Sequence, residues 1–183
     1  MVEMTIYGVS FDLVGKQPIV LLKTAEGNRY LPIWIGHPEA AAILMKLQNA
    51  TAPRPLTHDL LVNILGELEV EILRVTVTEL RENTFHASIT IAQNGTELEI
   101  DSRSSDAIAV AVRAQVPIFA ADDVIEDSAI EMEGDEVNEE EIVDEFKKFL
   151  DRVSAEDFAE AEVEELAVEE EDDGEAEEEE EDR

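Results

Sequence analysis

Polar side chains of the types used in catalysis gather at three places in this chain, each at the start of an apolar helical pattern. The first is Glu39, in Gly36-His37-Pro38-Glu39. The second holds Arg54, Thr57, His58 and Asp59. The third holds Asp101, Arg103, Ser105 and Asp106, with Arg113 further along the same pattern. Carboxylates with an imidazole suit a hard divalent cation such as Mg²⁺ or Mn²⁺, and guanidinium groups suit a phosphate. Hydrolysis of a phosphodiester uses both, because a metal polarises the phosphoryl oxygen and activates water. By type, Glu39, Asp59, Asp101 and Asp106 are candidate metal ligands. His58, Asp59 and Asp106 are candidate catalytic groups, and Arg54, Arg103 and Arg113 are candidate substrate anchors. Thr57 and Ser105 read as helix caps.

A purely structural account competes at each position. Glu39, Asp59 and Asp106 fall in first helical turns, where a carboxylate is favourable without any function. Arg103 and Arg113 can simply pair with acids. Only convergence of the three helix starts in space separates the two accounts, and spacing along the chain does not decide it.

Other chemistries are thin or absent. There is no cysteine, which removes disulfides, thiolate catalysis and cysteine-ligated metal. The only histidines are His37, His58 and His86. No Gly-rich phosphate loop, paired-histidine motif or Gly-x-Ser-x-Gly elbow occurs.

The elements that must position these residues alternate between strand and helix patterns. Val2 to Phe11 alternates, with Gly8 as an expected bulge. Pro18 to Thr24 and Arg29 to Ile35 are further strand patterns on either side of the turn Ala25-Glu26-Gly27-Asn28. Helices are expected from Pro38, with Ile43, Leu44 and Leu47 buried, and from Thr57, with Leu60, Leu61, Ile64, Leu65 and Leu68 as its apolar stripe. Three strands follow, Glu69 to Leu80, Thr84 to Gln93 and Glu97 to Asp101, the last two joined by the hairpin signal Asn94-Gly95. A third, unusually apolar helix runs from Ser104 or Ser105 to about Gln115, and Pro117 to Phe119 is a final short strand. The expected fold is α+β, a twisted, largely antiparallel sheet packed with about three helices.

The charge of −33 is concentrated rather than spread. Residues 1–120 carry 14 Asp and Glu against 9 Lys and Arg, whereas residues 121–183 carry 32 against 4. The expected organisation is therefore a compact domain over 1–120, an acidic connection over 121–138, a helical extension over 139–168 and a disordered acidic tail over 169–183. Within the extension, Ile142, Val143, Phe146, Phe149, Leu150 and Val153 recur at helical spacing. No Lys/Arg cluster supplies the basic face that normally drives nucleic-acid binding, so such binding needs a local cleft or a bound cation. No leader or membrane span is evident, and the expected location is cytoplasmic.

At the same polar positions the chain resembles the bifunctional nuclease (DNase/RNase) domain family. The segments are Leu31 to Ile43 (LPIWIGHPEAAAI), Arg54 to Leu61 (RPLTHDLL) and Ile100 to Arg113 (IDSRSSDAIAVAVR). They lie in the family's order and at its spacing, and the similarity spans nearly all of residues 1–120. The helix pattern Glu139 to Val153, followed by SAEDF, resembles an extension seen in bacterial members. The resemblance implies an α+β fold with a twisted, largely antiparallel sheet, self-association as a homo-oligomer (a dimer), and degradation of DNA and RNA. The family's polar positions fall on Glu39, Arg54, Thr57, His58, Asp59, Asp101, Arg103, Ser105, Asp106 and Arg113. Ser104 stands where the family usually has proline, which removes a fixed φ before the helix.

Two functions are consistent with these residues. One is a broad-specificity, metal-assisted nuclease. The other is a non-catalytic module that binds a protein or nucleic acid. The acidic tail fits an autoinhibitory or docking arm, and equally a solubilising extension.

Overall fold

The structure, a computed structural model, describes residues 1–11 and 17–131. The amphipathic pattern over Glu139 to Val153 and the acidic tail lie outside the described residues.

Eight strands form one sheet in the order β6-β5-β4-β7-β1-β2-β3-β8. They are β1 Val2–Phe11, β2 Pro18–Thr24, β3 Arg29–Trp34, β4 Glu71–Arg81, β5 Thr84–Gln93, β6 Thr96–Arg103, β7 Ile118–Ala120 and β8 Ile130–Glu131. Every neighbouring pair is antiparallel except β4 and β7. The helices are α1 His37–Leu47, α2 Thr57–Glu67, α3 Ser104–Ala114 and α4 Asp122–Ser128. The molecule is thus α+β with a mostly antiparallel sheet, and it has four helices among the described residues where three were expected.

Local chemistry explains most of these elements. Asn94 and Gly95 both take positive φ, 51° and 79°, which closes the tight β5–β6 hairpin. Glu82 and Asn83 do the same between β4 and β5, at 50° and 62°. The β1–β2 register shifts between Ile6 and Gly8, so the expected bulge is there.

α3 is the helix around which the rest is arranged. Ser104, Ser105 and Ala107 through Ala111 are all buried. Small residues let the helix lie close to β4 and β5 while α1 and α2 pack on it. The starts of α1, α2 and α3 are thereby brought to one side of the sheet. The core is completed by Val20, Leu22, Leu31 and Ile33 from β2 and β3, Ile43 from α1 and Val75 and Val77 from β4, each essentially without solvent contact.

The acidic connection expected after Ala120 is instead structured as far as Glu131. Asp122–Ser128 is helical, with Val124 and Ile125 buried, and β8 adds to the edge of β3. α4 packs on both β3 and β4, although β7, β1 and β2 lie between them.

A second difference concerns α2. None of its residues is buried, and Leu60, Leu61, Ile64 and Leu68 are exposed. Of the expected apolar stripe, only Leu65 is half-buried; the rest lies on the surface of the single chain. No helix among the described residues is long and apolar enough to cross a membrane.

Candidate functional site

All three helix starts and the end of β6 meet in a chain of ion pairs, Glu39–Arg103–Asp106–His58. Arg103 is the last residue of β6 and sits in extended backbone (φ −63°, ψ 145°) immediately before α3. Its Nη2 donates to Glu39 Oε1 at 2.8 Å and its Nε donates to Asp106 Oδ2 at 2.8 Å. The other oxygen of Asp106 lies 3.0 Å from Nε2 of His58. Ser104, in place of proline, leaves Arg103 well placed because two carboxylates hold its side chain.

Exposure differs along the chain of pairs. The His58 and Glu39 side chains are largely enclosed, each 13% exposed, while Arg103 is 67% exposed. Among the described residues Nη1 of Arg103 has no partner, so a donor faces solvent. Burial of the Asp106 carboxyl raises its pKa, but hydrogen bonds and charge from Arg103 and His58 outweigh this and hold it below the usual carboxylate range. Arg103 is held even more firmly protonated by Asp106 and Glu39. A cleft of about 610 Å³ opens over these groups, lined by Glu39, Pro55, Leu56, His58, Arg103 and Asp106 among others.

Gly36 contributes by its lack of a side chain. A Cβ there would meet the Glu39 carboxylate, which folds back over the helix start. Its φ of −72° is ordinary, so the requirement is for space.

The other expected site residues are placed elsewhere or otherwise engaged. Arg113 is a correction: its side chain is only 4% exposed and all three nitrogens are committed. Nε donates to Asp59 at 2.6 Å, Nη1 to the Ala109 carbonyl and Nη2 to the Ala42 carbonyl. It ties α1, α2 and α3 together and has no face for a phosphate. Asp59 is its partner through Oδ1 and accepts the Leu56 N–H through Oδ2 at 2.9 Å, so one oxygen serves the α2 start and the other the tie to α3. Burial raises the Asp59 pKa, but the Leu56 N–H and the Arg113 guanidinium outweigh it and lower the pKa.

The caps also differ from expectation. Thr57 and Ser104 are the first helical residues of α2 and α3, the cap positions belong to Leu56 and Arg103, and Ser105 is buried. No cap side chain bonds at either start; Asp59 takes over that task at α2. Arg54 is exposed in the α1–α2 loop, and Asp101 is exposed on β6 opposite Ser88; neither is paired with the cluster.

The carboxylates do not fit a divalent metal in this arrangement. Among the described residues no three His, Asp or Glu side chains group so as to hold an ion. The position between Glu39 and Asp106 is taken by the Arg103 guanidinium, which pairs with both.

Two residues near the site were not singled out by type and spacing. Gly36 passed as a helix start, and Trp34 as part of a strand; its signal was that it is the sole tryptophan of the chain.

Residues 20–133 match the family model described as the bifunctional nuclease domain. An uncharacterized protein of Mycobacterium tuberculosis (strain H37Rv) is 39% identical over 163 residues, covering 85% of this chain and 97% of the relative. Bifunctional nuclease 1 of Oryza sativa subsp. japonica is 28% identical over 103 residues, 54% of this chain and 31% of the relative. Bifunctional nuclease 1 of Arabidopsis thaliana is 27% identical over 105 residues, 55% of this chain and 32% of the relative.

Proposed function

We propose that this chain, which belongs to the bifunctional nuclease domain family, hydrolyses phosphodiester bonds of DNA and RNA in the cleft above Arg103, Asp106 and His58. The observation that carries this reading is the continuous Glu39–Arg103–Asp106–His58 arrangement beside an open cleft. Arg103 offers its free Nη1 to a phosphate oxygen while the two carboxylates fix its orientation. Asp106 accepts the Nε2–H of His58, which leaves Nδ1 as the ring nitrogen able to take a proton. Water attacks phosphorus and gives its proton to His58. The bond to the leaving oxygen breaks, and that oxygen collects a proton from the imidazolium, which Asp106 stabilises.

The cluster carries one net negative charge with His58 neutral and none with it protonated. Phosphate binding therefore relies on direct hydrogen bonds from Arg103 rather than on a positive field.

The test is cleavage of single-stranded DNA and RNA by purified protein, beside Asp106→Ala and His58→Ala prepared identically, with Mg²⁺, Mn²⁺ or EDTA. Cleavage lost in both variants supports the assignment. Equal cleavage in the variants refutes it and leaves a non-catalytic binding module. Cleavage lost in EDTA and restored by Mg²⁺ or Mn²⁺ would mean that Glu39 and Asp106 exchange Arg103 for a cation, as their residue types suggest.

Self-association belongs to the same reading, with a second copy of this chain as the partner. The supporting observation is the exposed row Leu60, Leu61, Ile64 and Leu68 on a helix with no buried residue of its own. An isolated helix of this length is marginal in water, so covering that row stabilises it.

A further inference from the structure

Arg103 borders two clefts. Beyond the one that holds His58 and Asp106, it lines a second of about 310 Å³, together with Trp34, Asn83, Thr84 and Phe85. This volume is in the range of small-ligand sites, about 300–1,000 Å³. Trp34 ends β3 and is 53% exposed, although its chain neighbours Ile33 and Ile35 are buried. The opposite wall is the β4–β5 turn, where Glu82 and Asn83 both hold the positive φ of a tight hairpin. Such a two-residue turn matches the twist of the strands it joins, which sets where this wall stands. The cleft therefore joins an exposed tryptophan, hydrogen-bonding residues and Arg103, the same residue that borders the first cleft.

We propose that this second cleft is a base subsite, in which Trp34 stacks an unpaired nucleobase adjoining the phosphate held by Arg103. The inference rests on the nuclease reading and names its substrate class: single-stranded nucleic acid. A duplex keeps its bases stacked on each other and cannot present a free face to Trp34. Stacking is indifferent to base identity and to the sugar, because every base has a π-face, which accommodates DNA and RNA alike. It also supplies attraction that does not depend on charge, in a chain whose net charge of −33 opposes a polyanion.

Trp34 is the only tryptophan, so its emission reports on this cleft alone. The experiment titrates the full chain, carrying His58→Ala so that the strand stays intact, in EDTA with an end-labelled single-stranded oligonucleotide, reading label anisotropy and Trp34 fluorescence together. A matched duplex and an abasic strand of equal length serve as comparisons, and Trp34→Ala and Trp34→Phe are titrated by anisotropy. The expected result is binding of the single strand with quenching of Trp34, and weaker binding of duplex and abasic strand without quenching. Trp34→Ala should weaken single-strand binding about ten- to a hundredfold, and Trp34→Phe should restore most of it.

Single-strand binding with unchanged Trp34 emission, or equal affinity in Trp34→Ala, would overturn the subsite while leaving the nuclease reading intact. Equal quenching by the duplex would also overturn it. No binding of any strand, with no cleavage in the assay above, would overturn both readings.

Discussion

The Arg113 guanidinium donates to the Asp59 carboxylate at 2.6 Å from a side chain that is almost wholly enclosed, linking the C-terminal turn of α3 to the first turn of α2. Removing one partner of a buried pair costs about 3–5 kcal/mol. Asp59 is a third exposed and can regain water, so Arg113→Ala should cost less, about 2–3 kcal/mol. The bonds to the Ala42 and Ala109 carbonyls are lost as well, though each of these lies within a helix and keeps its backbone N–H partner. Urea denaturation measures it. A stable Arg113→Ala protein with impaired nucleic-acid affinity would instead return Arg113 to the substrate-binding role suggested by its type.

Asp106 touches both Arg103 and His58, so neutralising it disturbs the anchor and the base together. Asp106→Asn keeps the shape but loses the charge, and its amide can impose the wrong imidazole tautomer. The expected outcome is a cleavage rate about 10²- to 10⁴-fold lower, with the fold retained, measured under single-turnover conditions and by circular dichroism. A rate within a few-fold of wild type would remove Asp106 from the chemistry.

Gly36 and Glu39 act as a unit, because the carboxylate that holds Arg103 occupies the space a Cβ would fill. Gly36→Ala and Glu39→Ala should each lower cleavage by about ten- to a hundredfold through misplacement of Arg103. The double variant should be no worse than Glu39→Ala alone. Additive losses would show that Gly36 matters for another reason.

Much of this fold was legible from local chemistry. Asn94-Gly95 announced its hairpin, and the run Ala107 to Val112 announced a helix packed on the sheet. What escaped depends on tertiary encounters. Asp59 and Asp106 are the same residue type in the same first-turn position; a buried Arg113 meets one, and an exposed Arg103 and His58 meet the other. Arg54 and Asp101 shared the right composition but no encounter with the cluster. α4 was hidden because Asp122, Asp123, Glu126 and Asp127 surround Val124 and Ile125, so a short buried face read as an acidic link. The α2 stripe was correctly apolar, but periodicity does not say whether its partner is the same chain.

Both depressed carboxylates make a signed pH prediction. Asp59 and Asp106 have folded pKa values below their unfolded ones, so each contributes stability that is fully present above the unfolded value, about 3.9. That contribution is lost as pH falls through the folded value, since the unfolded chain then binds more protons than the native one. Stability attributable to these pairs should therefore be level at neutral pH and decline below about pH 4 to 5. The check is urea denaturation from pH 7 to pH 3 on wild type and Asp59→Asn, whose difference isolates Asp59 from the other acids. The difference should be largest at neutral pH and shrink in acid; a constant difference would show that the Arg113–Asp59 contact is not electrostatic.

Leu60 and Ile64 lie one turn apart on the exposed face of α2, and a charge at either would have to be desolvated if a second copy covers it. Leu60→Glu with Ile64→Glu should convert an oligomer to a monomer, read by size-exclusion chromatography with light scattering. Because association stabilises by mass action, the wild-type melting temperature should rise with protein concentration and that of the double variant should not. If the face is open to water in solution, each substitution should change stability by no more than about 0.5 kcal/mol and the wild type should run as a monomer at every concentration. That result would overturn self-association through α2.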